Sequence, residues 1–247
     1  MPYIQPIHQT ETIFNMSSPD QLLKNVQQQI QSAAETAGRS ADDIRLIAVS
    51  KTKPASDIEQ VYRAGQREFG ENYLQEAIDK IQQLQQYSDI KWHFIGAIQS
   101  NKTRSIAEHF DWVHSVERIK IARRLAEQRP ASRKPLNICL QVNVSNEASK
   151  AGISLDEVEA LAAEVKQLEH IRLRGLMAIP LNTRDPEQQR YYFHQLKNCL
   201  DQLNQQGFDL DTLSMGMSND MDIAIAEGAT MIRIGTAIFG ERQYREK

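Results

Sequence analysis

The chain has 247 residues, 40 % of them hydrophobic and 25 % charged, with a formal net charge of −3, a profile ordinary for a soluble globular protein that buries its core without disulfides or structural metal. That charge gives no electrostatic case for nucleic acid or an anionic membrane surface as the main partner, and no apolar run approaches the ~20 residues needed to span a bilayer. The two cysteines, Cys139 and Cys199, lie far apart, read as reduced thiols of a cytoplasmic protein, and share no zinc-ligand spacing with the histidines.

Residues 1–19 are polar and aperiodic and lack the basic start and apolar core of a secretory signal. They read as a poorly ordered extension, with Met16 an alternative start. A helix is expected from Asp20, a candidate N-cap, with Leu22, Leu23, Val26 and Ile30 on one stripe before Gly38. Eight short apolar runs follow, at 44–51, 68–71, 91–96, 112–115, 136–144, 171–179, 210–217 and 231–239. Each but the last is followed by a helical pattern, as in Val158, Leu161, Val165 and Leu168, or Phe193, Leu196, Leu200 and Leu203. Pro54 and Pro186 stand where helices can begin, and Gly65, Gly207 and Gly228 where they can end. Basic runs at Arg123–Arg124 and around Arg129, Arg133 and Lys134 read as solvated surface.

Eight strand-then-helix repeats predict a single-domain α/β fold, a closed (β/α)₈ TIM barrel over 20–247 with an extra N-terminal helix. An open doubly wound sheet uses the same alternation, but no Gly-x-Gly-x-x-Gly follows the first strand. Period-2 alternation then assigns faces. Ile138, Leu140, Val142 and Val144 face the outer helices, while Cys139, Gln141 and Asn143 face inward. Ile47, Val49 and Lys51 align in the same way, as do Met231, Arg233 and Gly235.

Three strand ends carry candidate chemistry. Ile47-Ala48-Val49-Ser50-Lys51-Thr52-Lys53-Pro54 delivers a lysine against apolar barrel wall. Desolvation there favours the neutral amine that attacks an aldehyde, although a lysine can also simply snorkel at a strand end. Ser214-Met215-Gly216-Met217-Ser218-Asn219-Asp220 is a Gly/Ser turn into a helix, suited to phosphate or to ordinary capping. Arg233-Ile234-Gly235-Thr236 puts an arginine inside a strand, where it needs a partner such as Glu71 or Asp220. Barrels often bind phosphate with the loops after strands seven and eight. His93 reads as a satisfied core histidine. Neither paired glycosidase carboxylates nor a Gly-x-Ser-x-Gly elbow is present.

Together with Phe69-Gly70-Glu71-Asn72-Tyr73 and Trp92-His93-Phe94-Ile95-Gly96, these ordered segments resemble the pyridoxal phosphate homeostasis proteins, the YggS or PROSC type, over about residues 20–241. The resemblance implies a fold-type III, alanine-racemase-like barrel holding pyridoxal 5′-phosphate (PLP) as a Schiff base on Lys51. It implies that Asn72, Ser214, Met217, Ser218, Gly235 and Thr236 line the cofactor, that Ser218, Gly235 and Thr236 hold its phosphate, and that Arg233 faces the pyridine nitrogen. Lys53, Asn101, Lys102 and Asn143 are placed nearer the mouth. An arginine at that nitrogen keeps its own proton, leaving the ring a weak electron sink. In alanine racemases the tyrosine on the opposite face comes from a C-terminal β domain, whereas this sequence stops just after strand eight. The expectation is therefore a monomeric, non-enzymatic PLP carrier, with client PLP enzymes or a regulatory protein as partners. An amino-acid racemase, a regulatory interaction protein and a PLP-independent aldolase or isomerase are the competing readings.

Overall fold

The computed structural model describes residues 18–147 and 150–240. Eight parallel strands close into a barrel in sequence order. They are β1 (Arg45–Val49), β2 (Glu68–Glu71), β3 (Lys91–Phe94), β4 (Trp112–Val116), β5 (Leu136–Gln141), β6 (Ile171–Met177), β7 (Thr212–Ser214) and β8 (Met231–Ile234). The helix α1 (Pro19–Thr36) precedes them. Between strands run α2 (Ala55–Arg63), α3 (Leu74–Gln83), α4 (Thr103–His109), α5 (Ile119–Gln128), α6 (Val158–Lys166), α7 (Pro186–Gln205) and α8 (Met221–Ala226), and α9 (Thr236–Phe239) follows β8.

The face assignment from alternation holds. Ile138 and Leu140 pack in the layer between sheet and helices, with Ile58, Val61, Leu125 and Phe193. Ile47, Trp112, Cys139, Met177 and Met231 form a separate cluster inside the barrel. Period-2 geometry sends alternate side chains of each strand to these two layers. Both cysteines are free thiols, and burial pushes Cys139 up to about 12.

Several boundaries differ from expectation, each for a local reason. The cap of α1 is Ser18, whose side chain accepts from Gln21 N, with Pro19 in the first turn, so Asp20 is already helical. The eighth run splits after Ile234: the amides of Ile238 and Phe239 both return to Gly235 O, at 3.0 and 3.0 Å, making residues 236–239 a helical turn. β7 is shorter than its apolar run because Gly216, at φ +93°, turns the chain out of the sheet. Beyond β5 the chain folds back, with Val142 bridging Ile153. Arg129 is buried rather than solvated, and donates to Ala107 O, Phe110 O and Lys134 O. The expected extension lies, except for Ser18 and Pro19, outside the described residues.

Candidate functional site

All eight strands point their C-terminal ends at one mouth, the face where barrels carry their chemistry. Ser50 N donates to Gly70 O at 2.9 Å, so pairing continues past β1 and delivers the half-buried Lys51 to the rim. Thr52 follows at φ +65°, a left-handed conformation costly for a β-branched residue. What holds it is a buried ionic cluster. Glu76 Oε1 accepts from Thr52 N at 2.6 Å, and Lys80 Nζ donates to Ser50 O at 2.8 Å. The same ammonium pairs with Glu71 at 2.7 Å and Glu76 at 2.5 Å, while Ser50 Oγ donates to Glu71 Oε1 at 2.6 Å. Burial pushes the Glu71 carboxyl above its ordinary value, against the opposing pull of Lys80 and Ser50. The backbone on both sides of Lys51 is thus fixed by charge-assisted bonds.

Arg233 lies on β8, whose register pairs it with Ile47 of β1. Arg233 is 5 % exposed, yet the hydrogen-bond partners of its guanidinium are neutral: Nη1 donates to Ser214 Oγ at 2.7 Å and Nη2 to Ala178 O at 2.9 Å. Neither Glu71 nor Asp220 forms the ion pair weighed for it. Burial lowers its pKa to about 10, partly offset by the charge of Asp220, so it stays a cation at neutral pH. Ser214 is fully buried beneath it, with its hydroxyl also 2.8 Å from His114 Nδ1.

The two turns expected to meet a phosphate lie side by side on adjacent strand ends. Met217, Ser218 and Thr236 are exposed at the mouth, and Asp220 Oδ1 accepts from Met217 N at 2.6 Å to set the first turn. A side chain at Gly216 would strike Ala224 Cβ at 2.6 Å. Gly235 opens α9, whose first N–H groups have no acceptor within the helix. A Cβ there would press on Val49 O at 3.2 Å. Asn72, at the end of β2, buries its Oδ1 without a hydrogen-bond partner among the described residues. Its carbonyl lies where a Cβ at Gly96 would sit, at 2.1 Å.

The residues placed nearer the mouth divide. Lys53 Nζ donates to Phe239 O at 2.7 Å and so ties the first loop to the end of α9. Asn143 closes its own loop, donating to Glu147 O at 2.8 Å. Lys102 joins Asn72, Tyr73 and Gln99 around a cleft of about 420 Å³, and Asn101 is exposed in the neighbouring turn. A larger cleft of about 620 Å³ lies elsewhere, along α1 and α8, and is lined by Asn25, Gln28, Gln29 and Asp222.

The family described as alanine racemase, N-terminal domain, matches residues 22–243. A pyridoxal phosphate homeostasis protein of Pseudomonas aeruginosa is 56 % identical over 93 % of this chain and 98 % of its own. That of Escherichia coli K12 is 52 % identical over 91 % and 97 %. This chain belongs to the pyridoxal phosphate homeostasis protein family. Among solved structures, the PLP-bound PipY of Synechococcus elongatus superposes with a TM-score of 0.78 at 38 % identity, covering 90 % of this chain and 100 % of that one. Alanine racemase from Corynebacterium glutamicum, at 16 % identity and a TM-score of 0.62, shares the fold alone, and the match spans 63 % of it.

Two features of this family member escaped the sequence reading. Lys80 gave one signal, its four-residue spacing from Glu76 on a helical pattern. His114 shares the inward face of β4 with Trp112, the same alternation that assigned β5. Burial, with the neighbouring His93, Arg233 and Arg45 acting the same way, holds His114 well below its usual pKa. Folded protein therefore keeps it neutral, while the unfolded chain takes up a proton near pH 6.5. Stability is expected to fall as pH drops below that value, by at most about 1.4 kcal/mol per unit for one proton. Glu71, whose carboxyl is raised, works in the opposite direction at lower pH. Urea unfolding between pH 7.5 and 5.5 measures this, and a flat profile would contradict a neutral His114.

Proposed function

We propose that this protein binds pyridoxal 5′-phosphate as a Schiff base on Lys51 and acts as a reversible carrier in PLP homeostasis, without turnover. The observation that carries the reading is the arrangement at one mouth. Lys51 follows β1, Arg233 sits on the adjoining β8, and the two turns rich in backbone donors follow β7 and open α9. The donor set fits the cofactor: an amine for its aldehyde, backbone N–H groups with Ser218 and Thr236 for its phosphate, and a guanidinium for its ring nitrogen. Asn72, just after β2, offers a buried acceptor at the same end of the barrel. PipY, 38 % identical, was solved with PLP bound.

When bound, PLP supplies an aldehyde and an electron-withdrawing ring. The chain limits what that ring does. Arg233 keeps its proton at neutral pH, so it accepts no share of one from the ring and donates to an unprotonated nitrogen. The ring then withdraws electrons weakly, which suits storage and release better than amino-acid turnover. Exposed Ile179, Leu181 and Met217 on the β6 and β7 loops offer apolar rim to a client enzyme or regulatory protein. Among the described residues no helix is long and apolar enough to cross a membrane. We place the carrier in the cytoplasm as a monomer.

Equilibrium titration with PLP and with unphosphorylated pyridoxal tests the site. PLP is expected to bind on the order of a hundredfold more tightly, the worth of about two charge-assisted hydrogen bonds. The loaded protein is then mixed with the apo form of a PLP enzyme and, separately, with L-alanine. Reactivation of the enzyme without racemisation is the expected result. Racemisation at about 1 s⁻¹ or faster, the range of working enzymes, would make it a racemase.

A further inference from the structure

Beneath Arg233 the barrel interior holds a continuous column of polar side chains from five strands. Arg233 Nη1 (β8) reaches Ser214 Oγ (β7) at 2.7 Å, and Ser214 Oγ lies 2.8 Å from His114 Nδ1 (β4). His114 Nε2 meets His93 Nδ1 (β3) at 2.9 Å, and His93 Nε2 lies 3.2 Å from Glu68 Oε2 (β2). Ser214, His114 and His93 are all 0 % exposed. Among the described residues His93 Nε2 and Glu68 Oε2 have no well-formed hydrogen bond, and their 3.2 Å approach is the nearest polar contact of either atom. Arg45 Nη1 stands 3.7 Å from the other carboxylate oxygen, and His93 stacks on Trp112 at 5.7 Å.

The two ends of the column set the direction of every proton within it. A guanidinium only donates, and an ionised carboxylate only accepts. Glu68 is held below its ordinary pKa despite burial, by its contacts with His93 and Arg45. Starting from Arg233, Ser214 Oγ accepts one N–H and turns its own hydroxyl towards His114 Nδ1. That nitrogen then carries the lone pair, so the proton of His114 is on Nε2 and points at His93 Nδ1. His93 likewise carries its proton on Nε2, aimed at Glu68. Reversing both rings sets a lone pair against a carboxylate. Reversing either one sets two lone pairs or two N–H groups face to face at 2.9 Å. A doubly protonated His93 would face the Glu68 carboxylate, but it would place a fully buried cation between Arg45 and Arg233, beside Ile47, Trp112, Cys139, Met177 and Met231.

We infer that Ser214, His114, His93 and Glu68 form a one-way hydrogen-bond relay, both histidines neutral with the proton on Nε2, that positions the Arg233 guanidinium against the ring nitrogen of the bound cofactor. The inference rests on the PLP reading for its last link and on the protein alone for the rest. Ser214 and His114 act through Arg233 and are positioning residues.

The ligand-free full-length protein with ¹⁵N-labelled histidine tests the relay by long-range ¹H–¹⁵N NMR. Both buried rings are expected in the neutral Nε2–H pattern at pH 7. Either ring as the Nδ1–H tautomer or as imidazolium overturns the relay. The link to the cofactor is tested by Ser214→Ala, which removes one buried bond to a charged donor. PLP affinity is expected to fall about tenfold, with a shift in the pH at which the bound cofactor's absorption titrates. Unchanged affinity and an unchanged pH profile, beside parent protein that binds PLP, would show that Ser214 does not position Arg233. Parent protein that binds no PLP sinks the cofactor reading instead, and the NMR result still decides the relay.

Discussion

Lys51→Ala is expected to fold as the parent does and to lose all covalent attachment of PLP. Lys51 is half-buried and lies beyond the last residue of β1, so truncating it removes no strand pairing. The ionic cluster that shapes its loop engages the carbonyl of Ser50 and the amide of Thr52, and neither depends on the lysine side chain. The phosphate turns and Arg233 remain, so the variant is expected to retain weak, non-covalent binding. Loss of the Schiff base is expected to lower affinity on the order of a hundredfold, equivalent to about 2.8 kcal/mol. Absorption spectra with added PLP check this. A variant that still shows the parent's cofactor band places the attachment on another amine. Lys53 is the nearest rival in sequence, but its ammonium is engaged by Phe239 O.

The second large effect concerns Lys80. Lys80→Met fills similar volume but leaves the fully buried Glu71 without its cation. Breaking a buried pair from one side costs about 3–5 kcal/mol, because the remaining charge has no compensation. At about 2–4 °C per kcal/mol for a chain of this size, the melting temperature is expected to drop on the order of 10 °C. Adding Glu71→Gln is expected to recover much of that loss, since a neutral amide oxygen still accepts from Ser50 Oγ without needing a countercharge. Thermal melts of the single and double variants decide the point. A Lys80→Met protein within about 1 kcal/mol of the parent would mean that Glu71 is already neutral in the fold.

The barrel was legible because its signals are local. Eight apolar runs separated by helical periodicity need only counting, and the alternation over 137–144 correctly sent Cys139 inward and Ile138 outward. Element ends were less legible. Residues 236–239 are as apolar as the strand before them, and nothing in the pattern separates one turn of helix from more strand. The choice was made by two amides returning to Gly235 O.

The site divides along the same line. Lys51, Arg233 and the two turns each sit in a readable segment, and family resemblance joined them. The links that hold them are contacts between distant segments. Ser214 and His114 are 100 residues apart, and Arg233 and Ala178 are 55 apart. A single sequence carries no pairing signal across such separations. Arg129 illustrates the converse, since a basic run that reads as solvated surface holds together carbonyls from a loop and from the end of α4.

The most direct test of the central claim is borohydride reduction of PLP-loaded protein followed by peptide mapping. Reduction fixes a Schiff base as a stable secondary amine, and mass spectrometry locates it. A single phosphopyridoxyl group on Lys51, absent from Lys51→Ala, is the predicted result. Labelling confined to other lysines, or no fixed label at saturating PLP, would contradict the assignment.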